Sequence, residues 1–271
     1  MDNIINNFIL THKPSICVLT PCFQGNCNQI FVKSCMETKD VFKDFDIPIV
    51  FEFCNYDKYI NLARNTLIAK AMSMENITHF MFIDSHIEWK PIDIIKLIIS
   101  DKCIIGGVCP ISKLKLNTIS ENSKIIDKWN KKMSDSNINI QSETILQNNI
   151  LDYDVVLQNN SLKVENGISK VHYTSCSFML IKRFVIEQLQ NAFPKLKYFD
   201  NTNTLTFNQQ KNVFALFDSG IIDDKYCSDD IVFCERWKNI NGSIWICLSI
   251  NINNINQHTF KGSFYNSILQ I

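Results

Sequence analysis

The feature that most constrains this chain is an alternation over its first 110 residues. Short, almost wholly apolar runs take turns with longer helical patterns. "SICVLTPCF" (15–23), "IPIVFEFC" (47–54), "HFMFI" (79–83) and "KCIIGGVCP" (102–110) are each of strand length and apolar on both faces. Strands buried on both faces belong in a sheet covered by helices, and the intervening segments supply them. "NQIFVKSCMETKDVFKDF" is one. "NLARNTLIAKAMSME" (61–75) is another, with Ala63, Leu67, Ala71 and Met74 on one face. "PIDIIKLIIS" opens with Pro91, as a first helical turn tolerates. The expectation is an α/β fold: a Rossmann-like, mostly parallel central sheet with helices on both faces.

After Pro110 the pattern changes. Residues 111–150 are rich in Asn, Ser, Lys and Gln and lack clear periodicity, which predicts a mobile insertion. From 151 to 271 the pattern is mixed, with short strands around Asn159-Asn160 and Asn166-Gly167. Then come "YTSCSFMLIK", the helix "RFVIEQLQNAF" and the segment "SDDIVFCERWKNING". In that segment Ser228 is expected as N-cap, and Gly242 just past the helix end. A single domain over 1–271 is expected, with 15–110 as one half and 151–271 as the other.

Composition excludes some classes. Lys+Arg and Asp+Glu both number 27, so there is no basic field for nucleic acid. No apolar run reaches the ~18 residues of a membrane span. The first residues have no basic stretch followed by a long apolar run, so no secretory leader is expected. The 11 cysteines form no CxxC pair and fit no zinc spacing, and several sit inside apolar strands. They are expected to be reduced, small hydrophobes of a cytosol-like compartment. The abundance of Asn, Ile and Lys is a signature of an AT-rich genome.

The chemistry concentrates at "DSH", 84–86, directly after the apolar strand 79–83. Open α/β sheets bind ligands outside the carboxyl ends of their strands. With Ser85 between them in an extended segment, Asp84 and His86 are expected to converge on one side. Carboxylate and imidazole suit Mn²⁺ or a similar ion. A turn cap and a surface imidazole account equally well for the tripeptide taken alone. Arg64 is one of three arginines in the chain and suits a phosphate. Asp229 and Asp230 begin a helix, where acids are favoured on dipole grounds alone.

The order of motifs resembles GT-A fold glycosyltransferases of the family-2-like type, as found in giant viruses and phages. The residues that carry it are "ARN" at 63–65, "DSH" in place of D-x-D, "GGVCP", "SCSFMLIKR" (175–183), "FALFD" (214–218), "CSDDIVFCERWKNINGSIW" (227–245) and "HTFKGS" (258–263). They span roughly 15–110 and 171–263. The resemblance implies a nucleotide-sugar donor such as a UDP-sugar, an acceptor hydroxyl on a glycan or protein (or a modified nucleobase), and Mn²⁺ or Mg²⁺. It implies Asp84, His86 and His258 as metal ligands, with Asp84, Arg64, Thr20, Pro21 and Phe23 around the donor. One acid of the Asp229–Asp230 pair is implied as the base that deprotonates the acceptor, Asp230 by preference. His86 departs from the usual aspartate, and Asp229-Asp230 from the usual Glu-Asp. A non-catalytic binder with the same fold, or a nucleotidyltransferase, would share much of this pattern.

Overall fold

The structure, a computed structural model, describes residues 2–56, 58–114, 151–158, 161–202, 204–255 and 259–268. The first half runs α1 (Asp2–His12), β1 (Ile16–Phe23), α2 (Gln29–Asp44), β2 (Ile49–Tyr56), α3 (Ile60–Met72), β3 (His79–Ile83), β4 (Ile87–Glu88), α4 (Pro91–Ile99), β5 (Ile104–Gly107) and β6 (Pro110–Leu114). The second half adds β7 (Leu151–Tyr153), β8 (Val155–Leu157), β9 (Val164–Glu165), β10 (Ile168–Thr174), β11 (Phe178–Lys182) and α5 (Arg183–Ala192). It continues with α6 (Phe207–Gln210), β12 (Gly220–Ile222), β13 (Lys225–Cys227), α7 (Asp229–Asn239), β14 (Ile244–Cys247), β15 (Asn253–Ile255), β16 (Thr259–Lys261) and α8 (Phe264–Ile268).

The central sheet has the order β2-β1-β3-β11-β5-β14-β10-β8, with β9 beside β10. β2, β1 and β3 are mutually parallel, and β14 is parallel to β5. β11 runs against both β3 and β5, and β10 against β14 and β8. Most strands therefore point one way, and the reversals come from the second half. This is the expected α/β class, with the mixed character where the composition changes.

Helices cover both faces. In β3, Phe80 and Phe82 join the cluster with Leu67 of α3, Ile186 of α5 and Phe233 of α7. Met81 and Ile83 face the opposite cluster with Ile5 of α1, Phe31 of α2 and Ile94 of α4. The period of two, apolar on both sides, is what a strand between two helical layers requires.

Several expectations need correction. α1 was not anticipated, because its apolar residues Ile5 and Ile9 stand among asparagines. The first strand runs through Pro21 to Phe23 along β2; β3 pairs only as far as Leu19, so no partner needs the N–H that proline lacks. α3 is buried on nearly every side from Ala63 to Ala69, not along one face. Of the segment 111–150, residues 111–114 belong to β6, which pairs with β7, and 115–150 lie outside the described residues. Trp89 is core: its Nε1 donates to Thr38 Oγ1 at 2.9 Å, and its ring lies between Phe31 and Phe178.

The end of α7 shows how a local rule was right in kind but misplaced by one residue. Asn241, not Gly242, takes the left-handed conformation, with φ 66. The Asn241 N–H donates to Lys238 O at 2.9 Å, and the Gly242 N–H donates to Trp237 O at 2.9 Å. These two bonds form a Schellman closure. Gly242 is needed for a different reason: a Cβ there would lie 2.2 Å from Trp237 Nε1. Because the indole is buried, it has little room to yield. Gly242→Ala is therefore expected to destabilise the fold by about 1–3 kcal/mol, an overpacking cost, in a urea titration. Asn241→Gly should cost far less.

Candidate functional site

The carboxyl ends of β1, β2 and β3 lie along one edge of the sheet, and the start of the antiparallel β11 joins them there. Asp84 follows β3 directly. Its N–H donates to Ser177 O at 3.2 Å, and its Oδ2 accepts from Ser177 Oγ at 2.7 Å. The Ile87 N–H donates to Asp84 O at 3.0 Å, so residues 84–87 form a tight turn. This corrects the expected extended segment. The convergence of Asp84 and His86 argued from strand alternation does not apply in a turn. His86 stays half-buried, and its carbonyl accepts from Ile255 N–H at 2.8 Å, which ties the turn to β15.

Arg64, buried within α3, is the centre of the site. Its Nη1 donates to Asp229 Oδ2 at 2.6 Å, and its Nη2 lies 3.6 Å from Asp84 Oδ1. All three residues are at most 8% exposed. Burial opposes the guanidinium charge, but the negative groups around it, Asp84, Asp229 and Asp230 among them, outweigh that and hold its pKa above the ordinary value. Arg64 Nε and Asp84 Oδ1 are both buried without a hydrogen-bond partner among the described residues. Such groups are costly to leave unsatisfied, and they mark a place able to accept further polar contacts.

The acid pair divides its work. Asp229 is the ion-pair partner of Arg64. Asp230 is held from its own helix start: its Oδ1 accepts from Ser228 Oγ and, at 2.9 Å, from Ile231 N–H. Ser228 occupies the expected N-cap position, but its hydroxyl serves Asp230 and not a backbone N–H. Burial pushes the Asp230 pKa up, against the pull of Ser228 and Arg64.

Two participants were not anticipated. Asn65 donates to Phe217 O at 2.8 Å and accepts from Phe217 N–H at 2.9 Å, clamping the 214–218 segment to α3. Asp154, between β7 and β8, has its pKa raised to about 6 by burial and then by the charge of Asp230, with Asp84 adding to it. In sequence it closes the triplet "DYD" at 152–154, which was not among the expected site residues.

Beside this cluster lies a cleft of about 350 Å³, lined by Tyr56, Lys58, Tyr59, Leu62, Thr202 and Thr204 among others. Tyr56 connects the two. It lines the cleft, and burial and the charge of Asp84 raise its phenol pKa. Phe23 is 48% exposed at the rim, its ring centroid 5.6 Å from that of Tyr56. Thr20 and Pro21 are buried within β1. The structure thus brings Arg64, Asp84, Asp229 and Asp230 together, with Phe23 at the border. His258 lies outside the described residues. Among the described residues no three His, Cys, Asp or Glu side chains converge as ligands for a metal ion, and no helix is long and apolar enough to cross a membrane.

No family model and no curated protein matches the chain. Among solved structures it is similar to the crystal structure of A197 from STIV, at 11% identity, over 90% of this chain and 86% of that chain, with a TM-score of 0.45. At that identity and score the likeness assigns no function.

Two expected outcomes test the site's construction. Arg64→Met should cost about 3–5 kcal/mol in chemical denaturation, because it strands buried carboxylates. Adding Asp229→Asn to it should recover part of that loss. The second test concerns Asp154. Its folded pKa of about 6 lies above the ordinary aspartate range, so the folded chain holds this proton more tightly. Stability from this group is present at low pH and is lost as pH rises through that window. Asp154→Asn removes the dependence, so its melting temperature should gain on wild type between pH 4 and pH 6 and keep that lead above.

Proposed function

We propose that the chain is a glycosyltransferase that moves a sugar from a nucleotide-sugar donor, a UDP-sugar by preference, to an acceptor hydroxyl. The observation that carries this reading is the Arg64 fork. It joins Asp84, at the carboxyl end of β3, to Asp229, at the start of α7, and Asp230 stands beside them with no ion-pair partner among the described residues. The cleft next to it lies at the sheet edge where α/β folds take their ligands. The motif order in the sequence supports the same reading.

In this proposal the donor lies along the cleft, with Phe23 and Tyr56 against its nucleotide. Thr20 and Pro21 act from beneath, as the floor of β1. Arg64 faces the diphosphate while it fixes the positions of Asp84 and Asp229. Asp230 takes the proton of the acceptor hydroxyl. The oxygen then attacks the anomeric carbon, the bond from that carbon to the diphosphate oxygen breaks, and the nucleoside diphosphate leaves. A base on the side opposite the leaving group gives inversion. Asp230 is favoured over Asp229 because burial raises its affinity for a proton, while Asp229 is committed to a guanidinium.

Mn²⁺ or Mg²⁺ enters this proposal through Asp84, His86 and His258. The described residues alone do not make that site, and Arg64 already shares Asp84. A bound ion would add charge neutralisation of the diphosphate; the steps above depend on the protein's own groups.

The test combines binding and turnover on the full chain. Uridine diphosphate and a panel of UDP-sugars should raise the melting temperature, and more so with Mn²⁺ than with a chelator. Asp230→Asn should keep that protection while turnover falls by about 10²–10⁴-fold, the usual range for a lost general base. Protection without any product from any donor and acceptor pair would favour a non-catalytic binder. Release of pyrophosphate would favour a nucleotidyltransferase. No protection by any nucleotide sugar would remove the proposal.

A further inference from the structure

Cys22 and Cys27 are separated by four residues and fit no metal spacing, yet the fold sets their sulfurs 3.3 Å apart. The loop between them is turned back on itself. Gln24 and Gly25 take left-handed conformations, with φ 50 and 73. The Gly25 N–H donates to Cys22 O at 3.2 Å, and the Asn26 N–H to Phe23 O at 3.0 Å.

Both ends of the loop are anchored. Cys22 lies in β1, paired in register with Asn55 of β2. Cys27 precedes Asn28, the N-cap of α2, whose N–H donates to Ser85 O at 3.0 Å. The approach of the two sulfurs is thus fixed from outside the loop as well as within it. The pair also belongs to no metal centre, since no three ligand-type side chains converge among the described residues.

We propose that Cys22 and Cys27 form a reversible intramolecular disulfide when the protein meets a low-molecular-weight disulfide, locking the loop 23–26 at the carboxyl end of β1. The sulfurs need only close from 3.3 Å to the about 2.0 Å of a disulfide. Exposure sets the order of events. Cys22 is 2% exposed while Cys27 is only partly buried, so Cys27 meets the oxidant first. Burial, followed by its contact with Cys27, pushes the Cys22 thiol up to about 12, which keeps it protonated and keeps it from reacting before Cys27 does.

The exchange balances as follows. The Cys27 sulfur, as thiolate, attacks one sulfur of the oxidant, whose S–S bond breaks, and the first small thiol leaves with the proton lost by Cys27. Cys22 sulfur then attacks Cys27 sulfur, the mixed disulfide breaks, and a second small thiol leaves with the proton lost by Cys22. The protein's two thiols are oxidised and the small disulfide is reduced to two thiols. The closed loop carries Phe23, whose ring rests against Tyr56 on the cleft wall. Oxidation would therefore hold that wall in one arrangement.

The full-length folded protein is incubated with oxidised glutathione, alkylated and digested with trypsin. No lysine or arginine separates the two cysteines, so one peptide carries both. It is expected to lose two hydrogens, with Cys22 and Cys27 protected from alkylation and restored by dithiothreitol. Cys22→Ser should leave a glutathione adduct on Cys27, and Cys27→Ser should leave Cys22 free for alkylation after unfolding. Both cysteines alkylated in the oxidised wild type would overturn the proposal. So would a bond mapped to Cys35 or Cys54, the other thiols near this pair. The readout is mass, so its failure is separate from any failure of the glycosyltransferase reading.

Discussion

A buried guanidinium sets the terms for the rest of this molecule. Arg64 lies inside α3 with almost no access to water, and its charge is tolerable only because carboxylates reach it from two directions. Asp84 comes from the end of β3. Asp229 comes from 165 residues further along the chain. Neither acid would be cheap to bury alone. The three together bind the two halves of the chain across the sheet edge. Asn65, the next residue, repeats the device with neutral groups by holding both the N–H and the carbonyl of Phe217.

The same arrangement separates two acids that look equivalent in sequence. Both begin α7, and both benefit from the positive end of its dipole. Asp229 spends its charge on Arg64. Asp230 receives a hydroxyl and a backbone N–H, yet burial still raises its proton affinity. A substitution at Asp229 therefore acts through Arg64 and reaches Asp84. One at Asp230 breaks no ion pair with Arg64 and acts through charge on Asp154 and Arg64. The two positions are distinguishable by stability.

Much of the layered fold was legible because apolar strands leave a plain signal. β3 reads as buried on both faces from five letters, and the structure covers both faces. Arg64, Asp84 and Asp229 were legible as candidates because arginine is rare in this chain and because strand ends and helix starts are where charge accumulates. Their partnership was not legible. An ion pair across 165 residues depends on the order of strands in the sheet, and no local pattern records that order. β11 enters between β3 and β5 against their direction and delivers Ser177 to Asp84. Asp154 was missed because acids between two short strands carry no sign in sequence of what faces them.

His86 shows where motif reasoning and geometry part. As the third letter of "DSH" it suggested a ligand beside Asp84, through an alternation that holds only for extended chain. The bond from Ile87 N–H to Asp84 O closes a turn instead, and the next two residues become β4, which pairs with β15. The turn thus has a structural duty that is independent of any ion. It reverses the chain after β3 and brings the His86 carbonyl to Ile255, at the end of the strand that precedes residues 256–258. A histidine in this position is compatible with both duties, since the first uses only its backbone. The side chain is then free to be judged on chemistry alone. Replacing it by aspartate would leave these backbone bonds in place and change only the charge that the side chain carries.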